Sequence, residues 1–166
     1  MRLTLRPIDL ASDGPTIVRY AKDLFTISFG STARFVEQFG EDSSGYAPWI
    51  AQKQAIAPSY ASLACKEGQP AGMVLLGPWP DDPAVGYVYH LYLEPRVRGR
   101  GLAAELDLFA VAALRAQGHD TARLSVAQSN RPALHFYRKQ GWTEAGPRPD
   151  QPGILYMWRK LAGEEA

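Results

Sequence analysis

The chain has 166 residues, an ordinary length for one domain, so we expect a single domain over residues 1–166. Hydrophobic residues make up 46% of the chain and charged residues 21%, a balance that excludes a disordered chain. The formal net charge is +1, which excludes a broad field for attracting nucleic acid or an anionic membrane, and neither partner is expected.

The cysteine, histidine and apolar content narrows the class further. Cys65 is the single cysteine, which excludes an internal disulfide and a zinc cluster built on thiolates. The histidines lack the spacing of a metal site, so no metal is predicted. The N-terminus lacks the apolar run of a signal peptide, and no apolar stretch is long enough to cross a bilayer. A cytoplasmic location is the resulting expectation.

The N-terminal part of the chain begins with a strand and a helix. Leu3 and Leu5 alternate with polar residues ahead of Pro7, which predicts a strand, and residues 9–13 carry the chemistry of a helix start. Residues 14–60 indicate mixed helix and loop, rich in aromatic residues and interrupted by glycines.

Strands dominate the middle of the chain. Residues 61–66 and 72–76 are predicted to be strands joined by a hairpin loop over 67–70, where a glycine and a proline suit a turn. Residues 77–83 are predicted to be a loop that cannot continue the sheet, because prolines lack the N–H that a ladder requires. A new strand is predicted over 87–93.

The C-terminal part alternates between helices and strands. Apolar residues recur at helical spacing from Leu102 until Gly118, which predicts a helix. The remaining predicted elements are a strand over 124–126, a helix over 133–140 capped by Ser129-Asn130, and strands over 142–145 and 154–158. This order predicts an α/β fold of the α+β type, with a mixed, mostly antiparallel sheet of about six to seven strands and about four flanking helices.

One turn carries a chemical signal. The run Arg98-Gly99-Arg100-Gly101-Leu102-Ala103 lies between a predicted strand and a predicted helix. Small residues let backbone N–H groups approach an anion, and the helix N-terminus adds positive potential. Arg96, Arg98 and Arg100 supply cationic groups that suit several phosphates. The turn therefore predicts a pyrophosphate cradle, and a plain strand-to-helix turn is the alternative.

A dinucleotide site is the competing interpretation of the same turn. Residues 99–104 also fit G-x-G-x-x-A, the fingerprint of a Rossmann unit. The strand that ends near Val126 is followed by Ala127-Gln128-Ser129, which offers no acidic residue for a ribose. Too little chain remains for a doubly wound sheet, so coenzyme A is the favoured ligand.

Three segments match a family pattern in combination. They are Leu91-Tyr92-Leu93-Glu94-Pro95, the turn over 98–103, and the run from Asn130 to Trp142, which fits N-x-x-A-x-x-F-Y-x-x-x-G-W. Together they cover residues 87–142 and resemble the GNAT superfamily of acyl-CoA-dependent N-acetyltransferases. The resemblance implies the fold of that superfamily, in which the sheet is splayed between its two central strands.

The resemblance also implies the substrates and their binding residues. It implies acetyl-CoA as cosubstrate and an amine of a small molecule or peptide as acceptor. Backbone groups of Leu91 and Leu93 would meet the pantetheine and thioester, and Asn130 would contact the pantetheine arm. The full set of implied cofactor-binding residues is Leu91, Tyr92, Leu93, Arg98, Gly99, Arg100, Gly101, Leu102, Ala103, Asn130, Ala133 and Phe136.

Two residues are candidates for proton transfer. Tyr137 takes the position of the usual general acid of the family, whose phenol protonates the departing thiolate, with plain aromatic packing as the alternative. Some members place a glutamate on the strand over 87–93 or at the position of Ser125, and this sequence has none there. His90, with an ordinary pKa near ~6.5, is the candidate base. A packed strand histidine and proton transfer through water are the alternatives.

Direct transfer to a primary amine is the predicted mechanism, and Cys65 is not expected to be a nucleophile. The acidic residues Glu37, Glu41 and Asp42 are candidates to receive a cationic amine, with a solvated helix edge as the alternative. A non-catalytic acetyl-CoA-binding sensor or regulatory module is the alternative function. A homodimer is compatible with these expectations.

Overall fold

The computed structural model describes residues 2–161 and contains, within them, seven β-strands and five α-helices. In chain order these elements are β1 (Thr4–Pro7), α1 (Leu10–Phe29), α2 (Ala33–Phe39), α3 (Tyr46–Ile56), β2 (Ala61–Lys66), β3 (Gln69–Trp79), β4 (Asp82–Leu93), α4 (Leu102–Ala116), β5 (Thr121–Ala127), α5 (Arg131–Lys139), β6 (Thr143–Pro147) and β7 (Ile154–Lys160). Among these residues, no helix is long and apolar enough to span a bilayer.

The strands form one sheet with the order β1-β2-β3-β4-β5-β7-β6. All neighbouring strands pair antiparallel except β4 and β5, which are parallel. The predicted mixed, mostly antiparallel sheet is therefore confirmed, with one helix more than the four expected in the described residues.

The two central strands separate part-way along their length. Parallel pairing between β4 and β5 ends at Val88 and Leu124. At the same point Leu75 pairs with His90 while Leu76 pairs with Val88, so Tyr89 forms a β-bulge in β4. A bulge bends its strand and increases the local twist, which accounts for the separation. The predicted splay is confirmed.

The prediction of a loop over residues 77–83 is wrong. Strand β3 continues to Trp79, and β4 already begins at Asp82, so only a tight turn separates them. Pairing of β3 with β2 ends at Leu75, and beyond it β3 is an edge on that side. A proline is tolerated at a sheet edge because its missing N–H needs no partner there. Pro78 pairs in register with Gly86, and its carbonyl accepts a hydrogen bond from the Tyr89 hydroxyl at 3.1 Å.

Two apolar clusters cover the two faces of the sheet. One joins the sheet to α4 through residues such as Leu102, Leu106 and Ala110. The other joins it to the N-terminal helices, with Ile17 and Phe35 among its buried members. These clusters hold α4 on one face of the sheet and the N-terminal helices on the other.

Strands β3 and β4 approach each other closely at Gly72. A Cβ added there would lie 2.1 Å from the carbonyl oxygen of Tyr92, so no side chain fits without moving the backbone. Gly72 pairs with Leu93 and with Ala64, which places it in the centre of the sheet.

Candidate functional site

The turn between β4 and α4 has an unusual backbone. Gly99 and Gly101 adopt φ values of 76° and 77°, in the left-handed region that favours glycine. Helix α4 begins at Leu102 with Gly101 as its N-cap, and no side chain caps it. Its first N–H groups are therefore open to an anion. A Cβ added at Gly99 would meet nothing within 4 Å, so the turn is open beside that residue. These features fit the diphosphate of coenzyme A.

The arginines of this turn have protein partners. Arg98 donates from Nε to the carbonyl of Leu93 at 2.8 Å and lies 3.2 Å from Asp23 of α1. Arg96 donates to the carbonyl of Pro70 at 2.6 Å. The guanidinium of Arg98 therefore links α1 to the end of β4 in this structure.

Arg2 is a further cation at the turn, and the sequence offered no signal for it. Its Nη2 donates to the carbonyl of Arg100 at 2.6 Å and would lie 3.2 Å from a Cβ at Gly101. Glu105 in the first turn of α4 accepts from the backbone N–H of Arg2 at 2.8 Å and of Leu3 at 3.0 Å. Arg2 and Leu3 are thus hydrogen-bonded to the turn and to the first turn of α4.

The predicted pantetheine-binding residues lie beyond the bulge in β4. Leu91, Tyr92 and Leu93 pair with β3, while pairing with β5 has already ended at Val88. The β4 edge that faces β5 therefore has backbone groups without a strand partner. The Tyr92 side chain points to α1, where its hydroxyl donates to Asp23.

The predicted residues of α5 fall into a cap and an aromatic group. Asn130 caps the helix by accepting from the N–H of Ala133 at 3.3 Å. The rings of Phe136 and Tyr137 lie 5.3 Å apart, and Tyr137 lies 6.2 Å from Trp142. Burial, and after it the charge of Asp107, raises the pKa of Tyr137. The phenol therefore keeps its proton at neutral pH.

A cleft of about 890 Å³ opens beside the separated strands. It is lined by α1, α2, α3, the β3–β4 hairpin, β4, β5, β7 and the loop between β6 and β7. Glu37 and His90 lie in its lining, whereas Glu41 and Asp42 line a separate groove beside α1. Tyr137 lies outside the cleft lining and packs against the core cluster that contains α4.

His90 lies in an aromatic surrounding and is 7% exposed. Its Nδ1 is 3.2 Å from the Tyr46 hydroxyl. The centroid of its ring lies 5.8 Å from the ring centroid of Phe25 and 5.6 Å from that of Trp49. Burial, and after it the charge of Lys53, lowers the pKa of His90 to about 3. A general base needs a pKa near the working pH, so this surrounding argues against the predicted role of His90.

A polar network at the cleft wall had no signal in the sequence. The hydroxyls of Tyr87 and Ser125 are hydrogen-bonded across the two separating strands. Arg148 donates to the Ser125 Oγ at 2.9 Å and pairs with both oxygens of Asp150 at 3.0 and 2.8 Å. The serine where some family members carry a glutamate therefore faces a guanidinium.

Lys53 of α3 had no sequence signal either. It is 7% exposed, and its Nζ lies 3.7 Å from the ring centroids of both Trp49 and Tyr89, which line the cleft. Burial lowers the pKa of Lys53 to about 8. Among residues 2–161, no group of three or more His, Cys, Asp or Glu side chains is arranged to hold a metal ion.

The chain is similar to known acetyltransferases in sequence. It is 40% identical over 65 residues to the mycothiol acetyltransferase of Rhodococcus erythropolis, covering 39% of this chain and 22% of that protein. It is 35% identical over 86 residues to the mycothiol acetyltransferase of Thermomonospora curvata, covering 52% of this chain and 28% of that protein. The chain thus spans less than a third of the length of these curated relatives.

Solved structures share the fold. The PaiA N-acetyltransferase of Thermoplasma acidophilum, in complex with coenzyme A, has a TM-score of 0.76 at 17% identity, covering 96% of this chain and 99% of that one. The yncA protein of Salmonella typhimurium, with its cofactor acetyl-CoA, has a TM-score of 0.77 at 17% identity, covering all of this chain and 98% of that one.

The family follows from the match to a whole-domain pattern rather than from the fold alone. Residues 23–142 match the model of the Acetyltransferase (GNAT) family, and this range contains the left-handed turn, the separated strands and α5. As the motifs predicted, the chain belongs to the acetyltransferase (GNAT) family.

Proposed function

We propose that this chain transfers an acetyl group from acetyl-CoA to an amine of a small molecule or peptide, with Tyr137 as general acid. The observation that carries the proposal is the uncapped N-terminus of α4 behind two left-handed glycines, directly after the separated end of β4. That geometry supplies an anion site and unpaired strand groups in one place.

The donor side would use main-chain groups. N–H groups of residues 98–103 would hold the diphosphate, and the free edge of β4 at Leu91 and Leu93 would bind the pantetheine and polarise the thioester carbonyl. Acetyl-CoA supplies an acyl group that is already activated as a thioester. The solved structures of this fold in complex with coenzyme A and with acetyl-CoA support this assignment.

Tyr137 would supply the proton for the leaving group. A bond forms between the acceptor nitrogen and the acetyl carbon, the carbon–sulfur bond breaks, and the phenol proton passes to the departing sulfur. The proton released by the amine restores the phenol through solvent. The position of Tyr137 in the α5 motif supports this role, and its phenol carries a proton at neutral pH.

The acceptor side is the open cleft. Its volume of about 890 Å³ and its aromatic lining suit a drug-sized organic amine. The curated relatives are mycothiol acetyltransferases, and their similarity covers 39% to 52% of this chain, so their acceptor is not carried over. The amine class, the cytoplasmic location, the single domain over residues 1–166 and the homodimer stay predictions.

The test is release of free coenzyme A from acetyl-CoA in the presence of a panel of amines. Tyr137→Phe is expected to lower kcat by about 10²-fold or more and to leave the Kd for coenzyme A unchanged. The matched control is Tyr60→Phe, which removes the same hydroxyl from a buried tyrosine. The Tyr60 hydroxyl is hydrogen-bonded to His119, and neither residue lines the cleft. Tight binding of acetyl-CoA without release under any amine would instead support the sensor function.

A further inference from the structure

A buried cation lies directly behind the acceptor cleft. Lys53 contacts the faces of Trp49 and Tyr89, both of which line the cleft, at 3.7 Å. Within the part of the chain that the structure describes, no carboxylate forms an ion pair with Lys53. A buried charge without an ion pair is costly, and contact with aromatic faces offsets only part of the cost. The chain nonetheless keeps a lysine at this position.

Other ring faces in the cleft already hold cations of the chain. Arg34 lies 4.2 Å from the centroid of Phe29, and Arg148 lies 5.1 Å from that of Tyr156. A cation on one face of a ring weakens the attraction of the opposite face for a second cation. These two rings are therefore poor binding surfaces for an ammonium group.

Among the described residues, the histidine and the buried tyrosines of the cleft are poorly suited to accept a proton near neutral pH. The pKa of His90 is lowered to about 3 by its burial and by Lys53, so the imidazole is a weak base. Burial raises the pKa of Tyr89 to about 12 and also raises that of Tyr87, so both phenols hold their own protons. These groups leave the interior of the cleft without a base.

The carboxylates of the cleft belong to solvent-exposed residues. They are Glu37 of α2, Asp81 of the hairpin and Asp150 of the loop between β6 and β7. Asp150 is paired with Arg148, which lowers its pKa. Water screens exposed charges, so Glu37 and Asp81 compensate little for a cation that is held inside.

We propose that the acceptors of this cleft are weakly basic amines, such as α-amino groups and aromatic amines, rather than strongly basic alkylamines. The inference rests on the proposed acetyl transfer. The positive charge of Lys53 disfavours a bound ammonium, and the cleft offers no internal base, so the amine has to enter already neutral. An α-amino group has an ordinary pKa of about 7.7–8.0 and an alkylamine such as lysine about 10.4. Near pH 7.5 their neutral fractions differ by about 200-fold.

A pair of acceptors with the same aromatic body tests this proposal. Phenylalaninamide carries an α-amine whose basicity is lowered by the adjacent carboxamide, and 2-phenylethylamine carries a strongly basic amine. At pH 7 we expect kcat/KM to favour phenylalaninamide by about 10²-fold, the order of the difference in neutral fraction. The advantage should shrink steadily as the pH rises. Equal values at pH 7, or a plateau for 2-phenylethylamine below about pH 8, would reveal an internal base and overturn the proposal.

Lysine variants test the part played by the buried charge. Lys53→Met keeps the length of the side chain and removes the charge, and it should narrow the preference for phenylalaninamide by about tenfold. Lys53→Arg should keep the preference. The matched control is Lys22→Met, since Lys22 of α1 also lies over a ring, that of Phe35 at 5.9 Å, but outside the cleft lining.

The outcomes separate the two proposals. If Lys53→Met melts like the parent chain and leaves the preference unchanged, the electrostatic role of Lys53 is wrong. Release of coenzyme A with both amines at equal efficiency overturns the amine class alone. Binding of acetyl-CoA without release under either amine at any pH overturns the proposed function, and the amine class with it.

Discussion

The turn over residues 98–103 and the cleft beside the separated strands are built in opposite ways. The main feature of the turn is the main-chain conformation at Gly99 and Gly101. The cleft takes its lining from α1, α2, α3, β4, β5, β7 and two loops, and its chemistry lies in side chains. If the proposed function holds, recognition of the fixed donor would need one local backbone shape. Recognition of the acceptor would be distributed over several segments of the chain.

Charge differs between the two regions as well. Beside the turn, the side chains of Arg2, Arg96 and Arg98 are 55%, 53% and 40% exposed. In the cleft, Lys53 and Arg148 lie behind or between aromatic rings. Under the two proposals, the first set would attract an anionic ligand from solution, whereas the second set would restrict the charge of the ligand that enters the cleft. Variants that affect one region alone are the means to test this division.

Among the variants that test this division, Gly101→Ala is expected to have the largest effect. A left-handed φ of 77° costs a side-chain-bearing residue about 1–2 kcal/mol, and the new Cβ would lie 3.2 Å from Arg2. We expect the Kd for coenzyme A to rise about tenfold or more and KM for the acceptor to stay constant. Calorimetric titration measures the first and steady-state kinetics the second. Gly118→Ala, with φ 90° at the far end of α4, is the control and should leave the Kd unchanged.

Trp79→Ala should show the reverse pattern. The ring centroids of Trp79 and Tyr156 lie 5.6 Å apart, and the Cζ of Arg123 lies 4.6 Å from the Trp79 centroid. Removal of the indole therefore opens one wall of the cleft. We expect KM for the acceptor to rise about tenfold, as for a truncated aromatic contact of 1–2 kcal/mol, and the Kd for coenzyme A to stay constant. A parallel rise in both constants would show that the two regions are not independent.

Ser125→Ala should have a smaller effect within the cleft. It removes the hydroxyl that links Tyr87 to Arg148, and a single hydrogen bond contributes about 0.5–1.5 kcal/mol. We expect KM for the acceptor to rise about fivefold and the melting temperature to fall by about 2–4 °C. A loss of stability without a change in KM would place the network in the fold rather than in acceptor binding.

The smallest effect is expected from Asp13→Asn at the start of α1. Arg6 donates to both carboxylate oxygens at 2.8 and 3.0 Å, which lowers the pKa of Asp13. The stabilisation is therefore complete above the ordinary pKa of about 3.9 and is lost as pH falls through the lower folded-state value. At pH 7 we expect the variant to melt about 2–4 °C lower. The two melting temperatures should converge toward pH 2, and a constant gap down to that pH would contradict the assignment.

Several elements of the fold, including those around the proposed cofactor site, were predictable because their signals are local. The strand over 61–66, the helix from Leu102 and the cap at Asn130 all follow from neighbouring residues, and the structure has them. The loop predicted over 77–83 failed because a proline excludes a strand only where both edges are paired, and pairing is a long-range property.

The contacts in and behind the cleft could not be predicted in this way. Lys53 meets Tyr89 only through the packing of α3 on β4, and Arg148 meets Ser125 only through the loop that follows β6. A motif predicts the role of Tyr137, and the structure packs this residue beside Trp142 rather than in the cleft lining. The pKa of His90 depends on the same long-range packing, so an ordinary value was a poor guide.

The close approach of the strands at Gly72 has a practical consequence for mutational scanning. Because a Cβ there would meet the Tyr92 carbonyl at 2.1 Å, every substitution should unfold the centre of the sheet while touching neither substrate. A screen that scores survival or turnover alone would give Gly72 substitutions the same low scores as substitutions in the turn over residues 98–103. Pairing each score with a measure of protein abundance separates the folding defects from the functional ones.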